Sequence, residues 1–205
     1  RNIKISQYAD DIAIWKTSRN IKFLIKQIQN GLDDISHWCK QWGFKISAPK
    51  TSCMLFTRKI KTPNFRLLLD NNSIKKATEI KFLGLIFDYH MSWSRHIDHI
   101  VNKCKSRLNL LRCISGADWG ADGKLLYDLY RALIRSVLEY GCEVFNSAPT
   151  SIIARLNHIQ YQALKICCGA ICRTSLEKLQ IERGEPPLHL RRHFLTDLCT
   201  CNSLA

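Results

Sequence analysis

The sequence predicts an α+β fold, in which an antiparallel sheet with a covering helix comes first and an all-α region follows. Three observations indicate this order. Apolar residues alternate in short runs on both sides of the segment 21–42, within that segment they recur every three or four residues, and long helical patterns begin at Ser94. A helix that covers a sheet buries one apolar face of each element. We therefore expect a domain boundary near residue 92.

Two adjacent carboxylates, Asp10 and Asp11, stand between the alternating runs Ile3 to Ile5 and Ile12 to Ile14. This pattern predicts a β-hairpin with the acidic pair at its tip. Carboxylates are the hard oxygen ligands that Mg²⁺ prefers, and two such ions roughly 4 Å apart can hold both oxygens of a phosphoryl transfer. The pair is therefore a candidate magnesium half-site. The alternative is a simple polar turn, which Asp also favours.

A helix should follow the hairpin, because one apolar face recurs with helical spacing. Ser18 is its expected N-cap and Gly43 its expected end. The residues of this face are Ile21, Leu24, Ile25, Ile28, Leu32, Ile35, Trp38, Cys39 and Trp42. We expect this helix to form the layer that covers the sheet.

The segment 44–56 predicts a strand, a turn that contains Pro49, and a second strand. Lys50 lies in this turn. A lysine in a turn is usually a solvated charge, yet close to a two-metal centre its ammonium can protonate a leaving pyrophosphate. Both roles stay open on the sequence alone.

Two further strands are predicted at 65–69 and 80–87, and Asp70 to Ser73 between them is a turn signal. We expect these strands to pair as a hairpin. Gly84 interrupts the second apolar run, and a glycine inside a strand marks a bulge or a place where another backbone approaches closely. On one interpretation, the backbone that approaches Gly84 is that of a primer strand. On an equally good interpretation, Gly84 is an ordinary glycine within a sheet.

The chain is strongly basic, with 31 Lys and Arg against 17 Asp and Glu and a formal net charge of +14. Such a balance is typical of proteins that bind a polyanion, so nucleic acid is the expected partner, and a surface kept basic for solubility is the alternative. The first long helix after residue 92 should carry a basic face that tracks phosphates or is merely solvated. Its members are His96, His99, Lys103, Lys105, Arg107 and Arg112.

The chain has ten cysteines but opens in a predicted strand instead of a secretory leader, so we expect an intracellular protein with reduced thiols. No apolar stretch reaches the ~18 to 20 residues that a membrane span needs. The spacing of four residues resembles that of a zinc site: Cys168, Cys172, His189 and His193. The gap between Cys172 and His189, however, exceeds the ~12 to 15 residues of a standard zinc finger. A zinc-dependent nucleic-acid adaptor is therefore the least favoured function.

Five motifs follow one another in an order that resembles the palm and thumb of a reverse transcriptase. They are Tyr8 to Asp11, Gly43 to Thr51, Phe82 to Leu85, His90 to Trp93, and Arg131 to Gly141. More narrowly, the chain is similar to the enzyme of non-LTR retrotransposons of the jockey-like kind. Several motifs in the right order are far more specific than any one of them.

The resemblance implies a truncated polymerase palm over residues 1–92, with the catalytic hairpin and a primer-grip hairpin. A helical thumb-like domain over 93–172 and a C-terminal tail over 173–205 would follow. The implied partners are an RNA template and a DNA primer, and the implied cofactor is Mg²⁺. In the implied reaction, the primer 3′-hydroxyl attacks the α-phosphate of a deoxynucleotide.

Carried over by motif, Asp10 is the carboxylate that bridges two magnesium ions, Asp11 is its partner, and Lys50 is the proton donor. Tyr8 lies near the minor groove of the primer–template. The residues implied to grip the primer and hold the duplex are Phe82, Leu83, Gly84, Lys103, Lys105, Arg107 and Arg112. Phosphate contacts position a duplex without selecting its sequence.

One feature departs from the family pattern, in which a third metal-binding aspartate comes from a strand well upstream of Tyr8, together with fingers that bind nucleotide and template. Residues 1–7 contain no carboxylate. We therefore expect the C-terminal part of an RNA-directed DNA polymerase, which uses deoxynucleotides when completed by an upstream region. The alternative is a catalytically inactive retrotransposon remnant with a basic nucleic-acid-binding surface.

Overall fold

The computed structural model describes residues 3–57, 59, 63–116, 120–170 and 173–204, and the chain divides into two compact units. Unit 1 comprises Arg1–Ile80 and Asp88–His90, and unit 2 comprises Lys81–Phe87 and Met91–Ala205. Within the described ranges, no helix is both long and apolar enough to cross a membrane. The mixture of helices with small, mostly antiparallel sheets confirms the predicted α+β class.

The first two strands of unit 1 form the hairpin that the alternating residues predict. Strands β1 (Lys4–Tyr8) and β2 (Asp11–Trp15) pair antiparallel, with Tyr8 directly opposite Asp11. Only Ala9 and Asp10 remain for the turn. The acidic pair therefore occupies the tip of a two-residue β-hairpin, as expected.

Helix α1 (Ile21–Gln41) ends where the sequence predicts, but its N-cap is Asn20 instead of Ser18. The Asn20 side chain accepts a hydrogen bond from the backbone N–H of Phe23 at 3.2 Å, which is the N-cap geometry. The Ser18 hydroxyl accepts a hydrogen bond from the Asn20 N–H at 3.1 Å, and this bond lies before the first residue of the helix. After the helix, Gly43 has φ +74°, a left-handed conformation that glycine adopts without strain.

Very short strands follow α1, and two predictions about them are wrong. Segment 44–48 is irregular, because the Ser47 carbonyl accepts bonds from the Lys50 and Thr51 N–H groups and closes a turn there. Strand 65–69 does not pair with 80–87. The pairs observed are β3 (Ser52–Cys53) with β6 (Lys75–Lys76), in parallel, and β4 (Leu68–Leu69) with β5 (Asn72–Ser73), antiparallel.

Local turn chemistry explains the second error. Asp70 and Asn71 have φ +48° and +65°, so they form a tight turn of the kind that joins adjacent hairpin strands. This turn folds β4 back onto β5 at once. The small core of unit 1 consists of Leu67, Leu69 and Ile74, with Ile25, Ile28 and Leu32 of α1 packed against it.

The predicted strand 80–87 is a hairpin in its own right. Strands β7 (Glu79–Phe82) and β8 (Leu85–Asp88) pair with each other, and Leu83 and Gly84 form the turn. Both turn residues have positive φ, +46° and +81° respectively. Gly84 is therefore a turn glycine and not a bulge within a continuous strand.

Unit 2 is helical after β8, as the sequence predicts. Its helices are α2 (Ser94–Ile114), α3 (Gly123–Tyr130), α4 (Ser136–Glu139), α5 (Cys142–Phe145), α6 (Thr150–Cys167), α7 (Leu176–Arg183) and α8 (Leu188–Leu204). A π-helical turn over Arg131–Arg135 separates α3 from α4. This turn and Gly141, which has φ +68°, therefore divide the run 123–145 into three α-helices.

Helices α2 and α6 supply much of the core of unit 2, where Ile97, Leu108, Leu156 and Leu164 are fully buried. All nine cysteines in the described chain are free, and several behave as the small hydrophobes that the sequence predicts. Cys104 is completely buried, and burial raises the pKa of its thiol to about 11. Its thiol is therefore protonated at neutral pH.

Candidate active site

The acidic turn has a constrained backbone. Ala9 has φ +51°, a left-handed conformation that is uncommon for a residue with a side chain. The Gln7 side-chain amide donates to the Ala9 carbonyl at 3.2 Å and supports this turn. Asp10 takes the second turn position and Asp11 opens β2, and both carboxylates are exposed. Strained backbone at a solvent-facing polar turn is a reason to consider a functional role.

The two faces of the hairpin have different surroundings. Ile3 contacts α1 at Gly31, where a β-carbon would lie 2.7 Å from Ile3 Cδ1, so a side chain at this position would require the end of the Ile3 side chain to shift. Since side chains alternate along a strand, Tyr8 projects from the opposite face of β1. Asp11 shares that face, because directly paired residues project to the same side. Tyr8 is 67% exposed, so this face is open to solvent and to ligands.

Asp10 and Asp11 provide ligands of the right kind for a magnesium half-site. Magnesium is commonly bound through one or two carboxylates, with water and substrate phosphates completing its octahedron. No cluster of three or more His, Cys, Asp or Glu side chains that could hold a metal occurs among the residues that the structure describes. Of the alternative zinc set, Cys172 lies outside those residues, and Cys168 Sγ accepts a hydrogen bond from Arg183 Nε at 3.3 Å.

Lys50 also belongs to unit 1 and is exposed at the end of the Ser47–Lys50 turn. This turn is well fixed, because the Thr51 hydroxyl and the Thr51 N–H both donate to the Ser47 carbonyl, at 2.9 and 3.0 Å. Within the described chain, the Lys50 ammonium forms no ion pair with Asp10 or Asp11. Its long side chain remains available to a phosphate.

The Leu83–Gly84 turn presents Leu83, which is 38% exposed, and a half-buried Phe82. The Tyr140 hydroxyl donates a hydrogen bond to the Leu83 carbonyl at 2.8 Å, 57 residues along the chain. Sequence reasoning did not single out Tyr140. The available signal is its place before Gly141, which ends a helical pattern.

The cations of α2 lie along two edges instead of the single basic face that the sequence suggested. The buried stripe of α2 comprises His96, Ile97, Ile100, Val101, Cys104, Leu108 and Leu111. Because each residue turns the helix by about 100°, Lys103 and Arg107 border one side of this stripe. Lys105 and Arg112 border the other side.

The two edges differ in what their arginines contact. The Arg107 guanidinium donates to the Leu133 carbonyl and is half-buried, so part of its binding capacity is used within unit 2. Arg112 is exposed and donates to the Asn109 side chain at 2.8 Å. Lys103 and Lys105 are exposed. Both edges therefore present positive charge to solvent.

Residues 1–87 match the family model described as reverse transcriptase (RNA-dependent DNA polymerase). The chain is 24% identical over 170 residues to the RNA-directed DNA polymerase from mobile element jockey of Drosophila melanogaster, covering 82% of this chain and 18% of that protein. It is 28% identical over 174 residues to a Pol polyprotein from type-1 retrotransposable element R1 of Bradysia coprophila, covering 78% and 17%.

These matches support the interpretation that the chain is similar to part of the reverse transcriptases of non-LTR retrotransposons. The family resemblance drawn from its motifs is thereby confirmed. A third relative is the R1 Pol polyprotein of Nasonia vitripennis, 25% identical over 197 residues and covering 92% of this chain and 58% of that protein. The chain spans less than a fifth of the jockey protein. No solved structure matches it.

His96 is a core residue instead of a member of a basic surface. It is 2% exposed, and its Nδ1 accepts a hydrogen bond from the Ile86 N–H at 3.3 Å. Burial, with a smaller contribution from the charge of His99, lowers the pKa of His96 to about 4. It is therefore neutral at physiological pH and cannot contact phosphate as a cation.

Proposed function

We propose that this chain contributes catalytic carboxylates and a primer-holding surface to an RNA-directed DNA polymerase. In the reaction, a primer 3′-hydroxyl attacks the α-phosphate of a deoxynucleotide selected by an RNA template, and pyrophosphate leaves. The observation that carries this proposal is the pair Asp10 and Asp11, exposed at a constrained hairpin tip within the segment that matches the family model. In this proposal residues 1–92 form part of a palm, 93–172 a thumb-like domain and 173–205 a tail.

Asp10 and Asp11 would hold Mg²⁺ through their carboxylate oxygens. When bound, the metal stabilises the negative charge that develops as the phosphoryl group is transferred. The open face of the hairpin favours this role, since substrate phosphates must reach the carboxylates directly. Tyr8 projects beside Asp11 on that face and would contact the primer–template at its minor groove.

Lys50 would act as the general acid. Its ammonium can give a proton to the leaving pyrophosphate oxygen, which avoids the build-up of charge on that group. The hydrogen bonds that fix the preceding turn support this role, because a proton donor must be held near its acceptor. The reach of the lysine side chain from an exposed turn is compatible with it.

The primer and its duplex would be held by the Phe82–Gly84 turn and by the cations of α2. Lys103, Lys105 and Arg112 can contact phosphates from their exposed positions, and Arg107 with the part of its guanidinium that Leu133 does not use. Contacts of this kind are independent of sequence and weaken as salt rises. Both properties suit a polymerase that must move along its template.

A second candidate function is nucleic-acid binding without catalysis, by an inactive remnant of a mobile element. The specific observation in its favour is that, among the described residues, no third acidic side chain joins Asp10 and Asp11 in a metal cluster. The net charge of +14 would still support binding. The two functions differ in whether the carboxylates affect extension.

Primer extension by an active polymerase that carries this chain tests the proposal. Asp10→Asn keeps the shape of the side chain but removes its charge, so we expect extension to fall by about 100-fold or more, a loss of roughly 3 kcal/mol of transition-state stabilisation. Asp33→Asn is the matched control, since Asp33 is an exposed acid of α1 outside the hairpin. Equal extension by both variants would contradict the proposal.

A further inference from the structure

The β7–β8 turn is fixed by contacts from a distant part of unit 2. The Tyr140 hydroxyl donates to the Leu83 carbonyl at 2.8 Å. The Tyr140 ring also lies over Gly84, where a β-carbon would approach Tyr140 Cε1 to 3.1 Å. This distance is tighter than an ordinary van der Waals contact. The hydrogen bond and the ring therefore hold both turn residues at once.

A second glycine completes the contact from the other side. Gly141 has φ +68°, and a β-carbon at this position would lie 2.6 Å from Leu85 Cδ2. Leu85 is buried, so its side chain cannot move away easily. The absence of side chains at Gly84 and Gly141 thus allows the turn and the Tyr140–Gly141 junction to interlock. We refer to Leu83, Gly84, Leu85, Tyr140 and Gly141 as the turn clamp.

The junction is itself anchored, which makes it a firm support for the turn. Leu138 and Cys142, on either side of it, are 1% and 0% exposed. Between them, Glu139 accepts two hydrogen bonds from Arg191 of α8, at 2.5 and 2.9 Å. A bidentate pair of this kind restricts both side chains. Tyr140 consequently projects from a fixed backbone.

The turn needs such support because Leu83 is a bulky residue at φ +46°. Residues other than Gly, Asn or Asp rarely adopt this conformation without help from their surroundings. A hydrogen bond to its carbonyl and a ring against the next residue favour this one conformation over its alternatives. Without them, the turn would populate other backbone conformations.

We propose that Tyr140 is a positioning residue that holds the Leu83–Gly84 turn in the conformation that binds the primer. The inference rests on the function proposed for the Phe82–Gly84 turn. In this role Tyr140 acts on the primer through the turn. If the competent conformation is depopulated, the apparent affinity for primer–template falls by the same factor.

Tyr140→Phe tests this role, since it removes the hydroxyl and keeps the ring. From the usual net contribution of one neutral hydrogen bond, we expect primer–template to dissociate about 3- to 10-fold faster from the chain. Hydrogen exchange of the backbone amides in 82–86 should accelerate. The slope of affinity against salt should not change, because no phosphate contact is lost. Tyr89→Phe, a half-buried tyrosine of unit 1, is the control.

A double-mutant cycle separates the clamp from a general loss of stability. Gly84→Ala places a methyl group against the Tyr140 ring, and Tyr140→Ala removes that ring. The clamp predicts that the double variant is less impaired in primer–template dissociation than the sum of the single effects. Additive effects, or unchanged dissociation in Tyr140→Phe, would overturn the inference.

The outcome is distinguishable from failure of the proposed function. Faster exchange at 82–86 with unchanged primer–template dissociation would show that Tyr140 holds the turn but that the turn does not hold the primer, which contradicts the inference. Loss of the catalytic proposal would instead appear as extension that is insensitive to Asp10→Asn. The two experiments therefore give independent answers.

Discussion

The two units of this chain bury their apolar residues to different extents. In unit 2, Ile97, Leu108 and Leu156 are completely buried, and one continuous core joins most helices. In unit 1, the core is small and Trp15, Phe44 and Trp42 are 45%, 61% and 67% exposed. Exposed apolar patches commonly mark surfaces that bind another segment or molecule. The proposed catalytic turn therefore lies in the less consolidated unit.

Because of this difference in burial, the two units differ in how they are stabilised. Unit 2 can be stable through its own packing, while unit 1 combines a modest core with exposed aromatic rings and the acidic turn. We expect the chain to unfold in two steps, with unit 1 first, because a single cooperative transition requires comparable stability or strong coupling. Hydrogen exchange followed by mass spectrometry resolves the two steps. The predictions below test the contrast, starting with the largest expected effect.

The strongest contrast lies in two ion pairs. In unit 2, the fully buried Glu185 carboxylate accepts hydrogen bonds from Tyr127 at 2.6 Å, Tyr130 at 3.2 Å and Arg135 at 2.9 Å. Glu185→Gln leaves Arg135 without this partner, so we expect the free energy of unfolding of unit 2 to fall by about 3 kcal/mol. Urea titration monitored by hydrogen exchange measures it.

The matched control lies in unit 1, where Asp70 pairs with Lys40 at 2.5 Å and both side chains are substantially exposed. Hydrogen bonds from Lys40 and Ser36 lower the pKa of Asp70. Solvent screening nevertheless weakens exposed pairs. Asp70→Asn, which retains a residue that tolerates positive φ, should change stability much less than Glu185→Gln. Equal losses would contradict the contrast between the units.

The second prediction concerns the pH dependence of unit 2. His96 has a pKa lowered to about 4 in the folded chain, against about 6.5 for an unfolded histidine. The unfolded state therefore binds a proton more readily, and stability falls as pH drops from about 6.5 toward 4, by at most about 3 kcal/mol. Above pH 6.5 the contribution is fully present.

His96→Asn should flatten the stability profile of unit 2 between pH 4 and 6.5 relative to the native chain. His193→Asn is the control, since His193 is exposed on α8 of the same unit and is not among the groups that shift the pKa of His96. The difference between the two variants removes the common contribution of carboxylates, which also titrate in this range. Identical profiles would mean that folding does not change the pKa of His96, which would contradict the prediction.

The smallest effect concerns the start of α1 in unit 1. Asn20→Ala removes the acceptor for the Phe23 N–H, so it should destabilise unit 1 by about 1 kcal/mol. Ser18→Ala should have a smaller effect, because the Ser18 hydroxyl accepts from Asn20 outside the helix. Amide exchange in the first turn of α1 measures both. A larger loss of stability from Ser18→Ala than from Asn20→Ala would mean that Ser18 is the N-cap of α1.

Local patterns in the sequence predicted the features that depend on neighbouring residues. The acidic hairpin follows from the alternation on each side of Asp10 and Asp11, and the end of α1 follows from Gly43. The prediction of one strand over 80–87 is wrong, because a leucine at the turn gives no local signal for positive φ. Its conformation depends instead on Tyr140, 57 residues from Leu83.

In the candidate site too, the sequence predicts the features that neighbouring residues determine and misses those that depend on distant contacts. Carboxylates at a turn and a lysine at a second turn can be found from composition and spacing. The split of the α2 cations and the burial of His96 required the helix to be placed against its core. The Glu185 network depends on contacts across 50 to 58 residues, which no local pattern specifies.

Parallel measurement of chemistry and binding in Asp10→Asn tests the central claim most directly. With an active polymerase that carries this chain, the single-turnover extension rate and the retention of primer–template are recorded for the same preparation. We predict that extension falls by about 100-fold or more while retention stays within about 2-fold, because the carboxylate acts on the reacting phosphate and the cations of unit 2 hold the duplex. Unchanged extension, or loss of retention equal to the loss of extension, would contradict this account.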